Sequence, residues 1–180
     1  MSGVQCKDNG RDRDIGAYWE RQFCSMAAGR GFSLTAMQIG RSGSAQWYTL
    51  DEKQWNHHVL PDVTVWTCPG QHHEIKHKSP TAYNSYGLEA YRLCALLAFA
   101  KETRQDVLYT IHNHALSGGR NAQENSLSHW FTANILSLDG TWAAKAPNGT
   151  SWVNGVKQTG ILIYYWPATM WAPLDEYWAQ

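Results

Sequence analysis

Apolar residues recur every three or four positions in two long segments of the chain, the spacing of a helix that buries one face. The first segment begins at Asp14, a residue type favoured at a helix N-cap, and ends at Gly29 or Gly31. The second covers about residues 86–103, and its broad apolar stripe predicts a helix packed against a sheet. Residues 1–13 are polar and are predicted to form a flexible N-terminal arm.

Strands are predicted where β-branched and aromatic residues are frequent. Residues 45–50, residues 62–67 and a short segment around Ile75 give three strands in a row, and residues 107–112 give another after the second helix. The predicted order over residues 14–114 is therefore helix, three-stranded meander, helix and strand. A right-handed crossover through the second helix would make the last strand parallel to a neighbour.

Residues 115–180 are richer in turn-forming and aromatic residues. A Gly-, Ser- and Asn-rich loop over 115–125 precedes a predicted short helix over 126–136. Further strands are predicted at Trp142, 152–153 and 161–166, with Asn-Gly turns at 148–149 and 154–155. We therefore predict one α/β domain over residues 14–180, with its core at 14–114 and a β-rich C-terminal extension.

Charge and cysteine content narrow the class of protein. The 180-residue chain has a formal net charge of zero and a pI near 7.1, which argues against an indiscriminate, strongly basic nucleic-acid binder. Its four cysteines form no Cys-x-x-Cys pair, so neither a zinc ribbon nor a disulfide framework is indicated. The polar start and the lack of a long apolar run predict a cytoplasmic protein with no membrane partner. The ten tryptophans and nine tyrosines are assigned mainly to the core.

The segment 62–76 carries the candidate chemistry. Asp62 opens one predicted strand, while Glu74 and Lys76 lie two residues apart on the next and therefore share a face. Carboxylates are hard oxygen ligands that suit Mg²⁺, and a lysine ammonium can hold water and offset charge on a phosphate. This combination predicts metal-assisted cleavage of a phosphodiester.

The length of the intervening loop tests this interpretation. A two-residue loop at 69–70 would place Asp62 opposite His77, on the face away from the other acid and the lysine. A three-residue loop at 69–71, or a bulge, places Asp62 opposite Lys78, on the same face as those two groups. Catalysis therefore requires an odd loop or a bulge.

Pro61-Asp62, eleven residues, and then Glu74-Ile75-Lys76 resembles the signature of the PD-(D/E)xK nuclease superfamily. The resemblance implies a restriction-endonuclease-like core, which has the predicted order of elements, and a DNA endonuclease that uses Mg²⁺ or Mn²⁺. It also implies that Asp62, Glu74 and the Ile75 carbonyl bind the metal. Lys76 would orient or activate the attacking water.

The first helix adds a further resemblance. Residues 16–21, with the sequence GAYWER, followed by Gly31-Phe32, are similar to the first helix of archaeal Holliday-junction resolvases. The resemblance implies that Glu20 reaches the metal site as a catalytic or metal-binding residue. The alternative is that Glu20 and Arg21 only solvate the helix surface.

DNA is the expected partner, and a homodimer is expected because two strands need two cuts. The cell type implied by the resemblance is prokaryotic or phage-infected. The candidate phosphate contacts are Arg41 in a Gly-Ser loop, Lys78, Arg92 on the second helix, and Arg120 in the 115–125 loop.

Several alternatives stay open. The enzyme could be a sequence-specific restriction-type endonuclease, or the protein could bind DNA without cutting it. A zinc site could instead be built from His57, His58, His72 and His73. The pair His72-His73 is also unusually polar for a central strand, so the alternative is a solvent-facing hairpin with unremarkable charges.

Overall fold

The computed structural model describes residues 5–36, 61–67, 70–121, 123–153 and 156–179. The helices are α1 (Gln5–Gly29), α2 (Ala90–Thr103), α3 (Ile135–Leu138) and α4 (Leu174–Trp178), with 3₁₀ turns at Leu127–His129 and Ala168–Met170. The strands are β1 (Ser33–Ala36), β2 (Val63–Trp66), β3 (Gln71–Lys78), β4 (Ser85–Glu89), β5 (Asp106–Asn113), β6 (Trp130–Asn134), β7 (Ala144–Val153), β8 (Val156–Pro167) and β9 (Ala172–Pro173). The predicted α/β class is thus confirmed. No helix in these ranges is long and apolar enough to cross a bilayer.

The strands form two sheets. The larger has the order β1-β2-β3-β5-β6-β9, and the smaller has the order β4-β8-β7. Strands β1, β2 and β3 are antiparallel neighbours, whereas β3 and β5 are parallel. The parallel pairing agrees with a crossover through α2, as predicted. Strand β3 is therefore internal to the sheet, which makes the solvent-facing alternative for this hairpin wrong.

Two buried clusters cover opposite faces of the large sheet. One packs α2 and the small sheet against β5, and its largest side chains include Leu88, Leu93, Leu96, Tyr109, Ile111 and Trp166. The other packs α1 and α4 against β2, β3 and β6, through Trp19, Phe23, Val63, Val65, Ile75, Trp130 and Leu174. Each strand residue of β3 thus faces either α1 or α2, according to its parity.

Two helix boundaries differ from the prediction. Helix α1 begins at Gln5 rather than Asp14, so residues 5–13 of the predicted flexible arm are helical. The second helix begins at Ala90, because the preceding residues 85–89 form strand β4. This strand pairs with β8 and buries alternate side chains, a period of two that the helical stripe had masked.

The C-terminal third also differs in detail. Residues 126–136 form a 3₁₀ turn, β6 and the start of α3 rather than one helix, because β6 pairs with β5 and buries Trp130, Thr132 and Ala133. Trp142 precedes β7 instead of lying in a strand. The predicted turn at 148–149 lies within β7, at a shift in its register with β8. Residues 152–153 and 161–166 lie in strands, as predicted, whereas 45–50 falls outside the described residues.

Candidate active site

The register between β2 and β3 decides whether the two acids meet. Val63 pairs with His73 and Val65 pairs with Gln71, so the five residues 66–70 separate the last paired positions. The loop therefore has an odd number of residues, as the catalytic interpretation requires, and it is longer than either the two-residue or the three-residue loop considered from the sequence. Extending the register by one residue places Asp62 opposite Glu74 rather than opposite Lys78. The two carboxylates therefore share one face of the sheet.

Asp62 is held at the entrance to β2 by the backbone of β3. Its amide donates to the His73 carbonyl at 2.9 Å, and its Oδ2 accepts a hydrogen bond from the Ile75 amide at 2.7 Å. The residue is only 7% exposed. Burial and the charge of Glu74 raise the pKa of Asp62 to about 7, despite the opposing charge of Lys76. Asp62 can therefore gain or lose a proton near neutral pH.

Glu74 is fully buried and is bound through one oxygen. Its Oε1 accepts hydrogen bonds from Lys76 Nζ at 2.5 Å and from Arg92 Nη1 at 2.6 Å. Burial alone would raise the pKa of Glu74, but the charges of Arg92 and Lys76 lower it below its ordinary value. Its other oxygen, Oε2, is buried and has no hydrogen-bond partner within the described ranges.

Lys76 reaches three acceptors on this face. Besides Glu74, its Nζ donates to the Ile75 carbonyl at 3.1 Å and lies 3.9 Å from Asp62 Oδ2. Burial alone would lower the pKa of Lys76, but the neighbouring carboxylates of Glu74 and Asp62 raise it. Lys76 is consequently a cation at neutral pH and can donate hydrogen bonds to water or to a phosphate oxygen.

Glu20 approaches the same region from α1. Its charge raises the pKa of Asp62, and also that of Cys24, whose pKa is raised chiefly by burial. The neighbouring Trp19 is 1% exposed and fixes this turn of α1 against the sheet. The structure therefore brings the charge of Glu20 to Asp62 as well as bringing together Asp62, Glu74 and Lys76.

The candidate phosphate contacts are placed in different surroundings. Arg92 binds Glu74, and Lys78 donates to the Gly87 carbonyl at 2.7 Å and to Tyr109 Oη at 2.6 Å, where burial lowers the pKa of Lys78 to about 8. Arg120 is exposed in the turn after β5, and its carbonyl accepts a hydrogen bond from His77 at 3.1 Å. Arg41 lies outside the described residues.

The sequence did not reveal that Arg92 is a partner of Glu74. The only available signal was a charged residue near the start of the helix after the Glu-x-Lys strand, and the extra strand β4 moved that helix start. The contact itself depends on how α2 crosses β3, which residue spacing does not determine. Arg92 therefore belongs to the acidic site rather than to its rim.

The paired histidines of β3 have structural partners. His72 Nδ1 lies 2.9 Å from Thr64 Oγ1 and its Nε2 contacts Gln105, while His73 Nδ1 lies 2.8 Å from Thr110 Oγ1. These two rings point to opposite faces, as alternate residues of a strand must. Within the described ranges, no three His, Cys, Asp or Glu side chains form a cluster that could hold a metal. His57 and His58 fall outside those ranges.

The acidic pair suits a hard divalent cation. Mg²⁺ usually takes one or two protein carboxylates and keeps several waters, so it does not need a cage of three side chains. Asp62 and Glu74 supply two such carboxylates, and the buried Oε2 of Glu74 lacks a donor among the described residues. A buried oxygen without a partner is costly, and a cation would satisfy it. The residues present therefore fit Mg²⁺ or Mn²⁺.

Comparison with known proteins gives a similarity of fold. No protein-family model and no curated protein matches this sequence. Among solved structures, the fold is similar to Hjc of Archaeoglobus fulgidus, a Holliday junction resolvase from an archaeal hyperthermophile, with a TM-score of 0.50 and 9% sequence identity. The match covers 92% of this chain and 96% of that chain, so it concerns the architecture as a whole. This chain thus has a fold similar to that of an archaeal Holliday junction resolvase.

Proposed function

We propose that the protein is a metal-dependent DNA endonuclease of PD-(D/E)xK type. The observation that carries this proposal is the placement of Asp62 opposite Glu74, with Lys76 hydrogen-bonded to Glu74 on the same face. A binding module needs no such buried arrangement of two acids and a lysine, because burying charges is costly. Perturbed carboxylate pKa values at one place in a structure support the same conclusion.

Each residue has a distinct role in this proposal. Asp62, Glu74 and the Ile75 carbonyl would hold Mg²⁺ or Mn²⁺, and Glu20 would complete the acidic site from α1. The cation, when bound, supplies a Lewis acid that offsets negative charge on the phosphodiester. Lys76 is protonated and would donate hydrogen bonds to the attacking water and to a phosphate oxygen as charge develops there.

Asp62 also couples binding to pH. Its pKa near 7 means that a substantial fraction is protonated in the neutral pH range, and only the carboxylate is a good cation ligand. Cation binding should therefore release a proton at or below neutral pH and should weaken as the pH falls. Glu74 is held ionised by Arg92 and Lys76 and does not limit binding in this range.

The proposed substrate is branched or otherwise structured duplex DNA. The fold similarity to a Holliday junction resolvase and the position of Glu20 on α1 both favour a structure-selective enzyme over a restriction-type one. We propose a homodimer as the working form, since cutting both strands of a duplex requires two active sites. Arg120, in the exposed turn after β5, and Arg41 remain candidate phosphate contacts.

A cleavage panel tests this function. Supercoiled plasmid, linear duplex, single strands and a four-way junction are incubated with wild type, Asp62→Ala or Glu74→Gln, in Mg²⁺, Mn²⁺ or EDTA. We expect cation-dependent cutting of the junction that is lost in both variants. Preferred cutting of linear duplex at one sequence would instead indicate a restriction-type enzyme. Binding of DNA without cutting, by a folded wild type, would overturn the proposal.

A further inference from the structure

Two positively charged side chains, Lys76 and Arg92, donate hydrogen bonds to the same oxygen of Glu74. Lys76 and Arg92 converge on Oε1 at 2.5 and 2.6 Å, while Oε2 stays buried without a partner among the described residues. A carboxylate that is held at one oxygen keeps its plane fixed, so the position of its second oxygen is fixed as well. Glu74 is consequently oriented before any ligand arrives.

On the helix side, Arg92 is flanked by Glu89 and Tyr91. It lies in the first turn of α2, its Nε is 3.9 Å from Glu89 Oε2, and its guanidinium lies 5.9 Å from the centre of the Tyr91 ring. Only 22% of its side chain is exposed. By contrast, Lys101 near the end of the same helix is 64% exposed and pairs with Asp139 at 3.8 Å.

The planar guanidinium suits the task of fixing a carboxylate. Its donors lie in one rigid plane, so even the single Nη1–Oε1 hydrogen bond constrains direction as well as charge, which the flexible ammonium of Lys76 does less well. Lys76 also has to serve water or phosphate during cleavage with its remaining N–H, and its flexible stem lets the ammonium move as it does so. Arg92 is then the contact that keeps Glu74 in place throughout.

We propose that Arg92 is a positioning residue that binds Oε1 of Glu74 and thereby presents Oε2 to the divalent cation. This inference rests on the proposed nuclease function and gives Arg92 a different role from that of a phosphate contact. Removing a residue that orients a metal ligand typically lowers metal affinity or activity by about 10- to 100-fold.

A competing electrostatic effect predicts the opposite change in metal affinity. A guanidinium next to a cation site repels the cation, so an Arg92 that acted only through its charge would weaken metal binding. Removing it would then tighten binding. An Arg92 that contacted phosphate would change the KM for DNA and leave metal affinity unchanged. The three roles are therefore separable by measuring metal affinity apart from cleavage.

The test is Mn²⁺ binding followed by electron paramagnetic resonance, without DNA, on wild type, Arg92→Met, Arg92→Lys and the surface control Lys101→Met. We expect Arg92→Met to weaken Mn²⁺ binding by about 10- to 100-fold, with partial recovery in Arg92→Lys and no change in Lys101→Met. Unchanged or tighter binding in a folded Arg92→Met would overturn the inference. If Arg92→Met does not fold, Arg92→Lys decides alone, because it keeps the charge and loses the planar guanidinium: weaker Mn²⁺ binding than wild type supports the positioning role, and unchanged or tighter binding overturns it.

Cleavage measurements then separate this inference from the proposed function. Saturating Mn²⁺ should restore most of the kcat of Arg92→Met, since the reacting groups themselves are intact. Wild type that binds Mn²⁺ and cuts DNA, with an Arg92→Met that binds equally well, would defeat only the positioning role. Wild type that neither binds Mn²⁺ nor cuts DNA would defeat the proposed function, and the positioning role with it.

Discussion

The two faces of strand β3 use opposite solutions to the burial of polar groups. Toward α2, Glu74 and Lys76 are charged and compensate each other, with Arg92 as a third member. Toward α1, His73 and His77 pack against aromatic rings, and burial lowers their pKa values to about 3 and about 4. One face therefore keeps ions that can act on a ligand, and the other keeps neutral rings that stabilise the fold.

The side of β3 that faces α1 and carries His73 and His77, the histidine face, packs around Trp19. Its ring stacks on His112 with centroids 3.6 Å apart and on His77 at 4.8 Å. Because His77 Nε2 donates to the Arg120 carbonyl, its Nδ1 accepts from His112 Nδ1 at 2.9 Å, an arrangement that needs a neutral His77 ring. The face is thus held by packing and by fixed tautomers rather than by ion pairs.

The largest expected effect comes from removing the centre of the histidine face. Trp19→Ala deletes a ring that is 1% exposed and should lower the free energy of unfolding by about 3–5 kcal/mol, measured by urea denaturation. Trp66→Ala is the matched control, because Trp66 is 54% exposed and should cost much less. Equal losses in the two variants would contradict the assigned packing.

Removing a charge from the acidic face of β3, the side that carries Glu74 and Lys76 and that Asp62 shares, should raise the free energy of unfolding instead of lowering it. Asp62→Asn retains an acceptor for the Ile75 amide and removes the ionisable group. In wild type, burial and the charge of Glu74 raise the pKa of Asp62 from 3.8 to about 7. Wild type loses stability as the pH rises through this window, because its folded state then gives up a proton that it holds more tightly than the unfolded state does.

Asp62→Asn should therefore be more stable than wild type at pH 8, by about 1–3 kcal/mol. The difference should disappear at pH values below the ordinary pKa of aspartate. Urea denaturation at several pH values measures it. A variant that is less stable than wild type at pH 8 would show that Asp62 is stabilised by its partners rather than strained by burial.

The loss of stability at acidic pH should depend on the buried histidines of the histidine face. Burial lowers the pKa of His73 from 6.5 to about 3. Below pH 6.5 the unfolded chain therefore binds a proton at this residue while the folded chain does not, and the protein loses stability as the pH falls toward 3. His73→Asn keeps the contact to Thr110 and removes the titration. We expect it to flatten the fall of unfolding free energy between these pH values by about 1 kcal/mol per pH unit. An unchanged slope would mean that His73 is protonated in the folded protein.

The sequence predicted the parts of the site that depend on strand parity. Glu74 and Lys76 share a face because they are two residues apart, and an odd number of loop residues places Asp62 on that same face. Helix α2 and strand β5 were also predictable, since each has a strong pattern of its own.

Long-range contacts were not predictable in the same way. The length of the loop before β3 put Asp62 opposite Glu74 instead of Lys78, and only the folded register shows this. Strand β4 was hidden because the residues of 85–89 fit the helical stripe that follows them. His72 and His73 look too polar for a central strand, but Thr64 and Gln105 contact both ring nitrogens of His72, and Thr110 contacts Nδ1 of His73.

The adjacent residues Lys76 and His77 lie on the two faces of β3, so substituting each in turn tests whether the faces have separate roles. Lys76→Met and His77→Asn are compared for cation-dependent cleavage of a four-way junction and for free energy of unfolding. We expect Lys76→Met to stay folded and to lose at least about 100-fold in cleavage rate, and His77→Asn to lose stability and keep most of its cleavage rate. A folded His77→Asn that cuts no better than Lys76→Met, or a Lys76→Met that cuts like wild type, would contradict the division of β3 into a reactive face and a structural face.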